Sequence, residues 1–138
     1  MKKLIFLFSL VILIIGGFIV NPFSSSDPKD VDITTEEFKQ ILEHNPGEVI
    51  DVRTKDEFNS GHLKLSAAQY DWLNGEFHDA IEEMDKSKTY YLYCRTGNRS
   101  GQAARMMRER GFDNVYNVGG FEDLANAGFE ASSSFDGE

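Results

Sequence analysis

Apolar residues are arranged along this chain in two distinct ways. An uncharged, largely apolar run extends from Leu4 to Val20, whereas after Asp27 the apolar residues fall into short groups separated by polar residues, Gly and Pro. Helical spacing with capping signals predicts helices, and short apolar runs bounded by turn residues predict strands. The predicted helices cover residues 34–44, 54–58, 76–85, 100–110 and 121–127, and the predicted strands cover residues 48–53, 66–70, 89–93 and 114–118.

The order of these elements indicates the fold class. Strands that alternate with helices form parallel sheets covered by helices, so the sequence predicts an α/β fold with a doubly wound, mostly parallel sheet. We assign it to one domain, residues 27–130, followed by a mobile polar tail at residues 131–138. Ligands of such sheets bind at the carboxyl ends of the strands.

The N-terminal apolar run has the properties of an export segment. Lys2 and Lys3 precede an uncharged run of 17 residues, which as a helix would be about 25 Å long, at the short limit for crossing a bilayer. We interpret residues 1–26 as a signal peptide or an N-terminal membrane anchor helix, with its linker. The protein would then be exported to the periplasm or the cell surface, anchored to the cytoplasmic membrane through residues 4–20 if the segment is uncleaved.

Charge and cysteine content narrow the possible functions. The chain has 14 basic and 23 acidic residues, and removal of Lys2 and Lys3 leaves a net charge of −11. This acidity argues against a nucleic-acid partner, because binding to phosphates requires basic side chains. No pair of His residues has metal-ligand spacing, so neither a metal nor another cofactor is predicted. Cys94 is the single cysteine, which excludes an internal disulfide.

Cys94 lies where a predicted strand meets a predicted helix. The residues that follow it suit a tight loop, whose backbone N–H groups and helix N-terminus would favour a thiolate and bind an anion beside it. Gly97 allows the loop to turn inward. Arg99 can brace the loop or bind an anion, and Arg95 is expected at the rim. The sequence therefore predicts an active-site loop for a small anion that carries an electrophilic atom.

Four ordered motifs resemble those of the single-domain rhodaneses, which are thiosulfate sulfurtransferases. They are Asp51-Val52-Arg53 with Glu57-Phe58, Gly61-His62-Leu63, the loop Cys94-Arg95-Thr96-Gly97-Asn98-Arg99-Ser100, and Gly111-Phe112 with Val115 and Gly119-Gly120-Phe121. With its export segment, the chain is most similar to the small exported rhodaneses of the phage-shock type. Lys64-Leu65-Ser66-Ala67 departs from the family's Gly-Ala pair, and this departure leaves the strand register at residues 64–68 open.

The resemblance implies a reaction and a set of site residues. Cys94 would take sulfur from thiosulfate, carry it as a persulfide and pass it to cyanide or a thiol, so the partners would be a small anionic sulfur donor and one of these acceptors. Asp51 and Arg53 would support the loop. The substrate-binding residues would be Arg95, Thr96, Gly97, Asn98, Arg99 and Ser100.

Two other functions stay open at this point. Cys94 could accept sulfur from a protein donor or sense oxidants, which would make the domain a persulfide carrier or a sulfur- or redox-sensing binding module. The phosphatases and arsenate reductases of related fold carry a Cys-x5-Arg motif. Their loop is wider and accommodates a tetrahedral phosphate. Four residues separate Cys94 from Arg99, so the short loop favours sulfur transfer over those two reactions.

The export segment predicts on which side of the membrane the domain resides. A reporter that requires export, fused after Glu138, should be active because Lys2 and Lys3 stay on the cytoplasmic side while residues 4–20 insert. Cell fractionation then separates the two forms, since an anchored protein sediments with membranes and a cleaved one is released by osmotic shock. Activity of a cytoplasmic reporter alone would contradict export.

Overall fold

A computed structural model of the chain describes residues 30–133. The predicted export segment, residues 1–26, lies outside this range. Within the described range, every helix is too short or too polar to cross a membrane. The helices are α1 (Thr35–His44), α2 (Lys55–Asn59), α3 (Glu76–Ala80), α4 (Asn98–Glu109) and α5 (Phe121–Asn126), and the strands are β1 (Glu48–Asp51), β2 (Gly61–Leu63), β3 (Ser66–Gln69), β4 (Thr89–Cys94), β5 (Asn114–Gly120) and β6 (Ala131–Ser133).

The main sheet has four strands in the order β3-β1-β4-β5, and all neighbouring strands are parallel. The predicted α/β fold with a mostly parallel sheet is thereby confirmed. A second, two-stranded sheet pairs β2 with β6 in antiparallel orientation. Because β1 and β4 are the two inner strands of the main sheet, their carboxyl ends lie side by side.

Helices cover both faces of the main sheet. Successive side chains of a strand point to opposite faces, and β4 follows this rule, with Leu92 in one core cluster and Tyr91 in the other. The cluster around Leu92 includes side chains of α3 and α4, and the cluster around Tyr91 includes side chains of α1 and α5. The sheet is therefore doubly wound, as the alternation of elements predicts.

Side chains ahead of α1 and α2 determine where these helices begin. Thr34 and Thr54 are the N-caps, and each accepts a hydrogen bond from the backbone N–H three residues later, at 3.2 Å in both cases. In turn, the Glu37 carboxylate accepts a hydrogen bond from the Thr34 N–H, and the Glu57 carboxylate accepts one from the Thr54 N–H. Each pair is a capping box. The second box matters for the site, because it places the Glu57 carboxylate at the start of α2.

Several element boundaries differ from the prediction, and the two largest differences among the helices are in α3 and α4. The helix expected over residues 76–85 ends at Ala80 and continues as a 3-10 turn, Ile81–Glu83. Helix α4 begins at Asn98, two residues earlier than expected, because Gly97 has a φ of +89° and serves as the N-cap. The loop after Cys94 is accordingly only three residues long.

The sequence left open how residues 64–68 pair, and the structure shows that the pairing of β3 with β1 contains one extra residue. Val49 pairs with Ser66 and Ile50 pairs with Ala68, so Ala67 is an extra residue in β3. The remaining pair, Asp51 with Gln69, is regular. The bulge returns β3 to regular pairing before the carboxyl end of the sheet.

The prediction of a mobile tail from residue 131 is wrong for residues 131–133. These residues form β6, which pairs with β2 from Gly61 to Leu63. This strand has only three residues, two of them serines, so it lacks the apolar pattern that predicts a strand. Residues 134–138 lie outside the described part of the chain.

Packing of α1 on the sheet predicts a large effect of Phe38→Ala. Phe38 is fully buried, and its ring centroid lies 5.0 Å from those of both Tyr91 and Phe129. Removal of the ring should lower the free energy of unfolding by about 3–5 kcal/mol, measured by urea denaturation. Leu73→Ala is the matched control, because Leu73 is 67% exposed and should change stability by less than about 0.5 kcal/mol. Equal losses in the two variants would contradict this account of the core.

Candidate active site

The only cysteine ends the central strand of the sheet. Cys94 is fully buried as the last residue of β4, and α4 begins four residues later at Asn98. Its position at the carboxyl edge of a parallel sheet is where ligands of doubly wound folds bind. The short loop and the first turn of α4 place several backbone N–H groups around the sulfur.

Glycine is required at position 97 for two reasons. Its φ of +89° lies in the left-handed region, which disfavours residues with a Cβ. A Cβ at this position would also lie 3.2 Å from the Cα of Gly119, so the loop could not pack against β5 without movement. In this conformation the Gly97 N–H donates a hydrogen bond to Cys94 Sγ at 3.1 Å.

The surroundings of Cys94 favour its thiolate form. Burial raises the pKa of the thiol, but hydrogen bonds from the Ser100 hydroxyl and from the backbone N–H groups of Ser100, Thr96 and Gly97 outweigh it. The pKa of Cys94 therefore lies below its ordinary value. A sulfur with a lowered pKa and convergent N–H donors can act as a nucleophile, and such donors can bind an anion beside it.

Arg99 braces the loop against α2. Its Nη1 and Nη2 atoms each donate to a Glu57 carboxylate oxygen at 2.8 Å, which is a bidentate ion pair. The Arg99 hydrogen bonds lower the pKa of Glu57 to about 2, and the same contacts raise the pKa of Arg99. Binding of a substrate anion by Arg99 stays a prediction, because in this structure Glu57 holds the guanidinium.

Asp51 and Arg53 form a buried ion pair at the end of β1. Arg53 Nε donates to both Asp51 carboxylate oxygens at 3.0 Å, and Nη2 donates to Asp51 Oδ2 at 2.6 Å. The same Nη2 atom donates to the backbone carbonyl of Gly61 at 2.7 Å, and the guanidinium lies 4.4 Å from the ring centroid of Phe121. This arrangement joins the end of β1 to β2 and α5, next to the strand that ends at Cys94. Support of the Cys94 loop by this pair stays a prediction.

The remaining loop residues differ in their environment. Arg95, Thr96 and Asn98 are exposed, and Asn98 Oδ1 accepts a hydrogen bond from Gln102 on the next turn of α4 at 2.6 Å. Ser100 is fully buried. Among the predicted substrate-binding residues, the structure therefore brings the backbone of the loop and the Ser100 side chain close to the sulfur, and it places Arg95 on the surface.

Sequence reasoning missed Asn117. It is buried to 8% exposure on β5, and its side chain contacts both Ser100 and the backbone of Gly97. The available signal was a polar residue between Tyr116 and Val118, near the end of a strand that ends at the site. Within residues 30–133 no three His, Cys, Asp or Glu side chains form a group that could hold a metal ion.

A family model described as rhodanese-like domain matches residues 34–127. The chain is 35% identical over 91 residues to YqhL of Bacillus subtilis, an uncharacterized protein, covering 65% of this chain and 68% of YqhL. It is 33% identical over 76 residues to the thiosulfate sulfurtransferase PspE of Escherichia coli, covering 55% of this chain and 72% of PspE. Relatives named tRNA sulfurtransferase are much longer, and the match spans 14–21% of their length.

Solved structures agree with this match. The crystal structure of a rhodanese-like domain protein from Staphylococcus aureus superposes with a TM-score of 0.59 at 28% sequence identity. The superposition covers 74% of this chain and 98% of that protein.

The ion pair between Glu57 and Arg99 predicts a pH-dependent contribution to stability. Because the pKa of Glu57 in the folded protein lies below its ordinary value, the stabilisation is complete above about pH 4.5 and is lost as the pH falls towards 2. Solvent screening limits its size to about 1 kcal/mol. Glu57→Gln keeps an oxygen that can cap α2, so it should lower the free energy of unfolding by this amount at pH 7 and by progressively less as the pH falls through about 2.

Urea denaturation at several pH values measures this difference. Glu36→Gln is the matched control for the loss of a carboxylate from a first helical turn, because Glu36 is exposed in the first turn of α1 and should lower stability at pH 7 by less than Glu57→Gln does. A Glu57→Gln effect that is the same at pH 7 and pH 2.5 would contradict the ion-pair explanation.

Proposed function

The chain belongs to the rhodanese-like domain family, and from this premise we propose that it is a thiosulfate sulfurtransferase that works through a persulfide on Cys94. Relatives named thiosulfate sulfurtransferase support sulfur transfer in general. The observation that carries the specific proposal is the hydrogen bond from the Gly97 N–H to the buried sulfur of Cys94. It indicates a loop whose donors converge on one sulfur atom.

The first half-reaction transfers sulfur from thiosulfate to Cys94. The Cys94 thiolate attacks the outer sulfur of thiosulfate, a bond forms between Sγ and that sulfur, and the sulfur–sulfur bond of thiosulfate breaks. Sulfite leaves with the electron pair, so no oxidant or reductant is needed. The backbone N–H groups of the loop stabilise negative charge on the attacking sulfur and on the anionic donor.

The second half-reaction removes the transferred sulfur from Cys94. Cyanide or a thiolate attacks the terminal sulfur of the persulfide, and the Cys94 thiolate leaves. A low pKa of Cys94 assists this step as well, because the thiolate is then a good leaving group. The N–H groups that favour the thiolate before the first step favour it again after the second.

The length of the loop supports sulfur transfer over phosphate or arsenate chemistry. Three residues lie between Cys94 and the first residue of α4, and a hydrogen bond to Sγ already comes from the third of them. Such a small ring suits a single sulfur atom. A persulfide carrier would also hold sulfur on Cys94 but would show no turnover with a small acceptor. A redox-sensing module would instead react with oxidants at the thiolate.

An extracytoplasmic location is part of the proposal. It is supported by Lys2, Lys3 and the uncharged run at residues 4–20. The described domain, residues 30–133, would then act on donors and acceptors outside the cytoplasm.

Mass spectrometry of the intact protein tests the proposal. Incubation with thiosulfate should add about 32 Da, the mass of one sulfur, because the thiolate is the nucleophile. Subsequent addition of cyanide should remove the adduct and release thiocyanate. Cys94→Ser should lose both the adduct and turnover.

Lys88→Ala is the control for this substitution, because Lys88 forms an exposed ion pair with Glu48 at the opposite end of the sheet and should leave turnover unchanged. An adduct without thiocyanate production would indicate the carrier function. Thiocyanate production by Cys94→Ser at the rate of the unmodified protein would overturn the proposal.

A further inference from the structure

Asp32 precedes α1 and is fixed beside β5, the edge strand of the main sheet. The Ile33 N–H donates to the Asn117 carbonyl at 3.0 Å, and the Asn117 N–H donates to the Val31 carbonyl at 2.7 Å, so Asp32 pairs with Asn117 in an isolated parallel bridge. Val31 is buried in the core to 1% exposure. The backbone at Asp32 is therefore held in place although the Asp32 side chain is 59% exposed.

The Asp32 carboxylate has two partners. Its Oδ1 atom accepts a hydrogen bond from Asn117 Nδ2 at 2.6 Å, and its Oδ2 atom lies 3.8 Å from Nη1 of Arg105 on α4. The first contact is short and has an ionised acceptor, which makes it the stronger of the two. The second contact joins two exposed side chains and contributes little, because solvent screens it.

The Asn117 amide connects Asp32 to the loop that follows β4. Its Nδ2 atom also donates to the backbone carbonyl of Gly97 at 3.0 Å, and its Oδ1 atom accepts from the Ser100 hydroxyl at 2.6 Å and from the Gly119 N–H at 3.2 Å. A flip of the amide would bring Oδ1 against the Asp32 carboxylate and the Gly97 carbonyl, which are acceptors, and would bring Nδ2 against the Gly119 N–H, which is a donor. The four partners therefore determine the orientation of the amide.

Gly97 is the residue whose conformation matters for the sulfur. Its N–H donates to Cys94 Sγ at 3.1 Å. Its carbonyl, on the other side of its Cα, accepts from Asn117 Nδ2 and from the Gly101 N–H, both at 3.0 Å. A glycine can adopt many combinations of φ and ψ, so its own backbone does not keep the N–H directed at the sulfur. The hydrogen bonds on both sides of Gly97 supply this constraint, and the bond from Asn117 is one of them.

We propose that Asp32 is a positioning residue for the Cys94 loop. It holds the Asn117 amide in place, and this amide holds Gly97 in the conformation in which the Gly97 N–H points at the sulfur. Three hydrogen bonds connect the Asp32 carboxylate to Cys94, with lengths of 2.6, 3.0 and 3.1 Å. This role concerns only the geometry of the loop, and its effect on turnover rests on the proposed function.

The charge of Asp32 and its hydrogen bond have opposite effects on Cys94. A carboxylate near the loop disfavours the thiolate, so loss of the charge alone should lower the pKa of Cys94. Loss of the hydrogen bond should loosen Gly97 and raise that pKa, because the thiolate then has a weaker donor. The sign of the shift therefore distinguishes a positioning residue from a surface charge.

The other charged groups near the loop stay unchanged in the variants that test this inference. They are Asp51 and Arg53 at the end of β1, Glu57 on α2, Asp71 after β3 and Arg99 on α4. A shift in the titration of Cys94 is then assigned to Asp32 and its two partners.

Alkylation of the full chain by iodoacetamide tests the inference. Its rate, measured against pH, gives the pKa of Cys94 without any sulfur donor, because Cys94 is the single cysteine. Asp32→Ala should raise this pKa by about 0.5 units. Asp32→Asn keeps an oxygen that can accept from Asn117, so its pKa should lie below that of Asp32→Ala. A fall or no change with Asp32→Ala, or an equal or larger rise with Asp32→Asn, would overturn the inference.

Two double-mutant cycles identify the route by which Asp32 acts. In the Asn117→Ala background, Asp32→Ala should no longer raise the pKa of Cys94, because Asp32 acts through the missing amide. The Arg105→Ala background is the matched control, in which the rise should be the same as in the unmodified protein, because the ion pair is not part of the route. A rise that persists without Asn117, or that disappears without Arg105, would overturn the inference.

The test stays decisive if Asn117→Ala does not fold. The comparison of Asp32→Ala with Asp32→Asn changes only an exposed side chain, and urea denaturation of the two variants verifies that both fold. If the proposed function is correct, Asp32→Ala should also form the persulfide more slowly below the pKa of Cys94, by up to about threefold. A protein that shows the alkylation shifts but forms no persulfide would contradict the proposed function alone. A protein that forms the persulfide without these shifts would contradict this inference alone.

Discussion

The structure depends on the complete burial of strand β4. From Tyr90 to Cys94 every residue is buried, and alternate side chains enter the cores on the two faces of the sheet. A strand covered on both faces can expose only its end. The chain must then leave the sheet through a tight loop into α4, and the backbone N–H groups of that loop, which lack helical partners, face the sulfur of Cys94.

Two ion pairs keep this end of the sheet in place. The buried pair of Asp51 and Arg53 joins β1 to the carbonyl of Gly61 and to the ring of Phe121. The pair of Glu57 and Arg99 joins α2 to the first turn of α4. Removal of one partner from the buried pair would leave an uncompensated charge, which is far more costly than the loss of an exposed pair.

The charge balance of the site follows from the second pair. Glu57 neutralises Arg99, so the largest favourable contributions to the Cys94 thiolate come from Ser100, Thr96 and Gly97 hydrogen bonds and not from an arginine charge. Backbone donors are fixed by the fold and need no reorganisation when charge develops on the sulfur. In an acidic protein, such an arrangement can favour negative charge at one loop without a basic surface.

The sequence by itself determined the features that reside in a few neighbouring residues. The capping boxes at Thr34 and Thr54, the buried strand that ends at Cys94 and the inward turn at Gly97 are all local, so each could be predicted from spacing and residue type. Only the tertiary structure decided the contacts between distant residues: Ser100 with Asn117, Arg99 with Glu57, and His62 with Ser132, which are separated by 17, 42 and 70 positions. No local pattern encodes such contacts, because polar side chains on separate elements become partners only when the packing of the apolar core brings those elements together.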